Sequence, residues 1–187
     1  MQELTGKQAA IVALALAAAM FFTRCVYFEL STVCANATMA VMFLGGIYLR
    51  RRAWLAGFLL LAAGIDATSI ALGWIPASLI TRASIFEPIA YAALWYVGCR
   101  SAMHGLSRVA LIGVALLATV AAFALTNGSF YFLSGFFPAT SVSGWLANYA
   151  HWAPLFVGTT VAYVGAVLLA HEAWQRLNRV RLAQRAH

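Results

Sequence analysis

Charged residues are scarce in this sequence of 187 residues. They make up 9% of the chain, and only five of them are acidic, whereas hydrophobic residues make up 64%. A soluble domain carries about 25% charged and about 45–50% apolar residues, and a globule of this size cannot hide so much apolar surface. The composition therefore excludes a soluble enzyme, a disordered chain and a disulfide-stapled secreted module. It predicts a polytopic membrane protein with a single domain, residues 1–187.

Patterns that would carry catalysis are also lacking. The sequence has no Gly-Lys-Ser/Thr phosphate-binding loop, so the chain is not expected to hydrolyse ATP by itself. His151 and His171 lie 20 residues apart, or roughly 30 Å along one helix, which is too far to share a metal or a haem. We therefore do not expect an enzyme, and we expect no cofactor of its own. A membrane-bound haem or redox protein is the alternative.

Six apolar runs predict six transmembrane helices. A bilayer core of ~30 Å takes about 20 helical residues, and a helix satisfies its own backbone polar groups. The second run is short for a full span, so it either begins earlier, near Thr32, or is a broken helix. The runs are residues 8–22, 36–49, 53–74, 83–99, 109–126 and 150–170.

The basic residues lie mostly on one side of these six spans. Ten of the twelve Lys and Arg residues fall on alternate connections and on the terminal segments, and only Arg24 and Arg82 fall on the other side. Such a bias marks the cytoplasmic side of a membrane protein rather than a nucleic-acid surface. We predict a bacterial inner-membrane protein with both termini in the cytoplasm. Residues 172–187 form a basic cytoplasmic tail that contacts anionic lipid.

The outer connections are longer and more aromatic than the inner ones. Residues 127–149 hold seven aromatic residues between small polar ones. Loops longer than about 12–15 residues are usually functional or disordered, and this one is too apolar to float in solvent. We interpret it as an outer lid loop over a ligand. An aromatic belt at the bilayer interface is the alternative.

Two carboxylates are predicted inside the membrane, Asp66 in the third span and Glu87 at the start of the fourth. A charge at a helix centre costs at least ~2.5–3.5 kcal/mol, so it normally faces a partner or a water-filled cavity. Either Asp66 makes a helix-packing hydrogen bond and Glu87 is hydrated at the interface, or both line an outward-facing cavity. The candidates for the ligand-binding wall are Tyr27, Asn36, Asp66, Trp74, Glu87, Tyr91, Tyr131, Trp145 and Tyr149.

Small residues repeat along the first span. Ala9, Ala13 and Ala17 recur every four residues, a spacing that lets two helix backbones approach closely. The row either packs against another span of this chain or forms a docking face for a separate membrane partner. An assembly protein without a small ligand is a further alternative.

The cysteines divide between the two sides of the predicted membrane. Cys25 and Cys34 fall on the outer connection, where they could form a disulfide in an oxidising compartment. Alternatively, Cys34 is a soft metal ligand that faces the cavity. Cys99 is cytoplasmic and is interpreted as a buried or interfacial thiol.

Together these features resemble the substrate-binding S components of energy-coupling-factor (ECF) vitamin transporters, and within that group the BtuM family of cobalamin transporters. The resemblance implies an integral-membrane substrate-binding subunit that takes up cobalamin (vitamin B12) or a related corrinoid through a pocket open to the periplasm. It also implies that the first-helix alanines dock onto a transmembrane coupling subunit driven by two ATPases. An S component for a different vitamin is the alternative. The residues that carry the likeness are 36–49 (NATMAVMFLGGIYL), 64–66 (GID), 87–95 (EPIAYAALW) and 128–135 (GSFYFLSG).

One feature departs from this family, which is known for a cysteine between the third and fourth helices that ligates cobalt. The same connection here has no cysteine and offers Ser78 and Thr81 instead. Neither hydroxyl is a good soft ligand. Any cobalt ligand from the protein is therefore expected to be Cys34 or His151, and otherwise the ligand is held through its ring and its amides.

Overall fold

The structure is a computed structural model that describes residues 4–27 and 36–185. This part of the chain is helical and contains no strand, as the prediction of an all-α membrane protein requires. Two short 3-10 helices, Ala77–Leu79 and Arg82–Ile85, lie between the third and fourth α-helices. The α-helices are α1 (Gly6–Tyr27), α2 (Thr38–Tyr48), α3 (Arg52–Ala71), α4 (Phe86–Met103), α5 (Arg108–Leu133) and α6 (Val142–Arg185).

Within the described residues, four helices are long and apolar enough to cross a membrane. α2 is apolar but has 11 residues, and α4 has 18 residues that include Glu87 and Arg100. Large apolar side chains are exposed on the outside of the bundle; Leu14 and Leu60, for example, are each 73% exposed. A surface of this kind suits lipid rather than water. The four helices of spanning length are Gly6–Arg24, Arg52–Ala71, Arg108–Leu133 and Val142–Arg179.

α2 lies at the centre of the bundle, and residues 38–47 are all buried. Gly46 and Gly98 allow α2 and α4 to touch backbone to backbone. A Cβ atom added at Gly46 would fall 2.0 Å from the carbonyl oxygen of Trp95, and one at Gly98 would fall 2.2 Å from that of Phe43. Because no side chain fits at either position, these glycines set the distance between the two helices.

The alanine row of α1 faces the core of the same chain. Ala13 is buried, and Ala9 and Ala17 are half-buried against the core. α1 packs on α2 and α3 through this side. Of the two alternatives for the row, the structure supports internal packing. Ala9 and Ala17 remain partly exposed beside this contact.

The predicted outer loop, residues 127–149, is mostly helical, so that prediction is wrong. α5 continues to Leu133 and α6 begins at Val142, which leaves residues 134–141 as the connection. Ring contacts hold this connection against α5: the centroids of Tyr131 and Phe137 are 4.4 Å apart. The predicted basic tail belongs to α6, which runs to Arg185 as one helix.

Many of the basic residues lie at one end of the bundle, where the ends of several helices contact one another. Tyr48, at the end of α2, packs against His171 of α6 with 5.7 Å between ring centroids. Arg108, at the start of α5, pairs with Glu172 of α6 at 2.6 Å. The arginines at 50–52 follow α2 directly. We call this the basic end, and the helix directions place the carboxyl ends of α1, α3 and α5 at the opposite end.

Candidate functional site

A cavity of about 940 Å³ lies at the end of the bundle opposite the basic end. Its wall includes residues from all six helices and from the connection between α3 and α4. Small-molecule sites typically have volumes of about 300–1,000 Å³. The cavity is therefore large enough for a bulky solute.

Most of the cavity wall is apolar. α3 contributes small side chains, among them Ala63 and Ala67, and so leaves room on its side. The opposite wall is aromatic: Phe123 of α5 and Phe156 of α6 stack with 5.0 Å between ring centroids, and Trp152 lies one turn before Phe156. A solute with a flat or bulky apolar body can pack between these two surfaces.

One arginine joins four helices at the cavity wall. Arg24, near the end of α1, is 6% exposed. Its Nε and Nη2 atoms donate to the two carboxylate oxygens of Asp66 on α3, at 2.6 and 2.5 Å. Its Nη1 atom donates to Thr38 Oγ1 at 3.2 Å and to the Tyr91 hydroxyl at 3.4 Å. Nη2 also lies 3.6 Å from Glu87 Oε2. The guanidinium is thus held by α2, α3 and α4.

Both predicted intramembrane carboxylates belong to this network and also line the cavity. The Asp66 side chain is 24% exposed and that of Glu87 is 44% exposed. A charge in a low-dielectric interior needs a partner, and Arg24 supplies one to each. Asp66 thus hydrogen-bonds between helices and also lines the cavity. Glu87 lines the cavity too, but it lies 3.6 Å from a guanidinium that already pairs with Asp66.

Eight of the nine predicted ligand-binding residues have described side chains, and these eight divide into two groups. Those in the first group line the cavity, and they come from the start of α2, from α3 and from the first half of α4. This group places both carboxylates on the wall of one cavity. Its members are Asn36, Asp66, Glu87 and Tyr91.

The second group does not line the cavity, and its residues pack elsewhere. Trp74 is 51% exposed after the end of α3. Tyr131 is buried against Phe137. Trp145 and Tyr149 contact each other with 6.1 Å between ring centroids, and the Tyr149 hydroxyl donates to a backbone carbonyl of α5 at 3.2 Å. The aromatic residues of the wall are instead Phe123, Phe130, Phe137, Trp152 and Phe156, together with Tyr91.

Of the two predicted cobalt ligands, His151 lies in the described part of the chain, and it does not line the cavity. His151 is exposed on α6, where its ring contacts Trp152 with 4.8 Å between centroids, and it is not part of the wall. Cys34 and the side chains of Cys25 and Tyr27 lie outside the described part of the chain. Within residues 4–27 and 36–185, no group of three or more His, Cys, Asp or Glu side chains could hold a metal ion.

Sequence reasoning missed the central place of Arg24. It was counted only as one of two basic residues on the outer side of the membrane. Burying an unpaired arginine or an unpaired carboxylate in a membrane costs free energy, so such residues on neighbouring apolar helices are expected to pair. Applied to this sequence, that rule predicts a pair between Arg24 and Asp66. The sequence also gave no sign of Asn127 and Asn148, which hydrogen-bond at 3.3 Å between α5 and α6 and line the cavity.

Comparison of this sequence with models of known families gives no match, and comparison with curated proteins gives none either. The resemblance to ECF S components therefore depends on the sequence features quoted above.

Proposed function

We propose that this protein is a membrane-embedded solute-binding subunit for vitamin uptake. The cavity carries the proposal, because it combines about 940 Å³ of space with a largely apolar wall and a few polar side chains. That combination binds the body of a small molecule and fixes its orientation. A bundle with a purely structural role would fill such a space with side chains, since protein interiors are close-packed.

In this proposal the chain crosses the bacterial inner membrane six times, with both termini in the cytoplasm. The positive-inside bias assigns the basic end to the cytoplasm. The cavity then faces the periplasm, the side from which a solute is taken up. α2 need not match the bilayer thickness, because protein rather than lipid surrounds residues 38–47.

Cobalamin is the solute that we propose, with related corrinoids or a different vitamin as alternatives. The aromatic and alanine surfaces of the cavity suit a large ring system, and Asn36, Asn127 and Asn148 offer amides for hydrogen bonds to a solute rich in amides. Ligation of cobalt by the protein is not part of the proposal. Uptake would use a transmembrane coupling subunit and two ATPases, which would contact a surface other than the alanine row.

Calorimetry on the purified protein in detergent tests the proposal with cyanocobalamin and cobinamide. We expect binding by the natural chain and loss of binding in Ala63→Trp, because the indole fills the cavity beside α3. The matched control is Ala56→Trp, two helical turns earlier on the same face of α3. Ala56 is exposed and lies outside the cavity wall. This control is expected to bind as the natural chain does.

The outcomes separate the parts of the proposal. A folded protein that gives no heat with either corrinoid at tens of micromolar would contradict the cobalamin assignment. Binding of another vitamin that Ala63→Trp abolishes would keep solute uptake and replace the solute. Binding that survives Ala63→Trp would place the site elsewhere, and a haem spectrum after purification would favour the redox alternative.

A further inference from the structure

The charges on the described part of the cavity wall do not balance. The described part of the wall contains one cationic side chain, Arg24, and two carboxylates, Asp66 and Glu87. One positive and two negative groups give a formal charge of −1. We infer that the cavity selects solutes by charge, so that it admits neutral and cationic solutes and excludes anions, and that Glu87 makes this selection. The inference rests on the proposed solute-binding function and specifies its substrate class.

Arg24 does not attract an anionic solute, because the protein already uses its guanidinium. All three nitrogens donate hydrogen bonds within the bundle, two of them to Asp66. Bidentate arginine–carboxylate pairs are among the strongest hydrogen-bonded pairs in proteins. A solute carboxylate or phosphate would have to displace Asp66 and leave that carboxylate unpaired in the bundle, which is costly.

Glu87 carries the charge that Arg24 does not neutralise. Its Oε2 atom is 3.6 Å from Arg24 Nη2, whereas Asp66 Oδ2 is 2.5 Å from the same nitrogen. The Glu87 side chain is also the more exposed of the two carboxylates. It stands in the first turn of α4, where the helix dipole favours a negative group. Glu87 can therefore accept a hydrogen bond from a solute amide or pair with a solute cation.

The surroundings of Glu87 strengthen its field. The wall around it is mainly apolar, and charges next to low-dielectric walls act over longer distances than charges in water. The other basic residue predicted on this side, Arg82, is exposed and is not part of the wall, so it does not compensate for Glu87 there. An anion entering the cavity meets one unneutralised carboxylate and no free cation in the described wall.

Cysteine-modification rates test the charge selection without any vitamin. Ala67, exposed on the cavity wall, is replaced by cysteine in a chain whose three native cysteines are changed to alanine. Two thiosulfonate reagents of similar size are compared, one with a trimethylammonium group and one with a sulfonate group. Each rate is divided by the rate of the same reagent with a small free thiol. We expect the cationic reagent to react about tenfold faster at Ala67→Cys, because charged clefts raise local counter-ion concentrations by that order.

The matched control is Ala71→Cys, one helical turn later on α3, exposed and outside the cavity wall. Its ratio of cationic to anionic rates is expected to be close to one. Adding Glu87→Gln is expected to bring the Ala67→Cys ratio down to that of the control, while circular dichroism confirms that both variants are folded.

Three results would overturn the inference. Equal rates, or faster reaction of the sulfonate reagent at Ala67→Cys, would refute charge selection. A cationic preference that survives Glu87→Gln would refute the role of Glu87. A folded Ala67→Cys variant that reacts with neither reagent would show that charged solutes do not enter. Cobalamin binding together with equal rates would refute the charge inference alone, and a cationic preference without cobalamin binding would refute the cobalamin assignment alone.

Discussion

Replacing Gly98 by alanine is expected to destabilise the protein, because α4 touches the backbone of α2 at this residue. The added Cβ would fall 2.2 Å from the carbonyl oxygen of Phe43 and 3.2 Å from the amide nitrogen of Ile47. Real Cβ atoms essentially never approach other atoms within 3.0 Å. The two helices would therefore have to move apart by about 0.8 Å, and a backbone carbonyl cannot rotate out of the way as a flexible side chain can.

The expected loss of stability in Gly98→Ala depends on how tightly the residues around this contact are packed. Trp95 and Phe43 are 1% and 0% exposed, so a gap between the helices opens in the fully packed core. A gap of about 0.5–1 Å forfeits a quarter to a half of the van der Waals attraction across it. Overpacking a core typically costs about 1–3 kcal/mol. We expect the upper part of that range, about 3 kcal/mol, which corresponds to a Tm lowered by about 6–12 °C for a chain of this size.

Thermal unfolding in detergent, followed by far-UV circular dichroism, measures the effect. The matched control is Gly113→Ala in α5, where an added Cβ meets nothing within 4 Å. Alanine is favoured over glycine within a helix by about 0.5–1 kcal/mol, so the control is expected to be as stable as the natural chain or more stable. A Gly98→Ala variant with the same Tm as the control would refute the backbone contact between α2 and α4.

Two further predictions concern stability and use the same unfolding assay. Arg24→Met is expected to cost about 3–5 kcal/mol, because it leaves Asp66 without its partner, whereas Arg24→Met with Asp66→Leu should recover part of that loss. A double variant no more stable than the single one would contradict this view of the pair. Ser107→Ala removes the cap of α5, where Ser107 Oγ accepts a hydrogen bond from the Ala110 amide at 3.2 Å. It should cost about 1 kcal/mol, and Ser107→Asp should restore it. An unchanged Tm in Ser107→Ala would show that the cap contributes no stability.

The helical fold and the end that holds the cavity could be predicted from the sequence. A chain so rich in apolar residues has few structural options in a bilayer, since its backbone groups must be paired within helices. The cost of burying a carboxylate also restricts where Asp66 and Glu87 can lie, and both are found at the cavity wall. Backbone pairing and the cost of a buried carboxylate therefore determine the helical fold and the position of the two carboxylates, whatever the details of tertiary packing.

The aromatic wall could not be predicted, because its residues depend on helical phase. Gly128 and Ser129 fall within the predicted outer loop, residues 127–149, yet α5 continues through them. In a helix, one step along the chain rotates the side chain by about 100°. Phe130 therefore lines the cavity while Tyr131 does not. If the segment is treated as a loop, helical geometry does not fix the direction of its side chains. The sequence alone therefore could not show that Phe130 rather than Tyr131 lines the cavity.

The enclosure of α2 also bears on how the bilayer influences the cavity. Met39 of α2 belongs to the cavity wall, and protein covers residues 38–47 on every side. Lipid therefore does not contact this helix directly. A change in bilayer thickness or headgroup composition can shift Met39 only by displacing the helices around it. Transfer from detergent to a native bilayer should thus leave the α2 side of the wall constant, while the lipid-facing helices adjust around it.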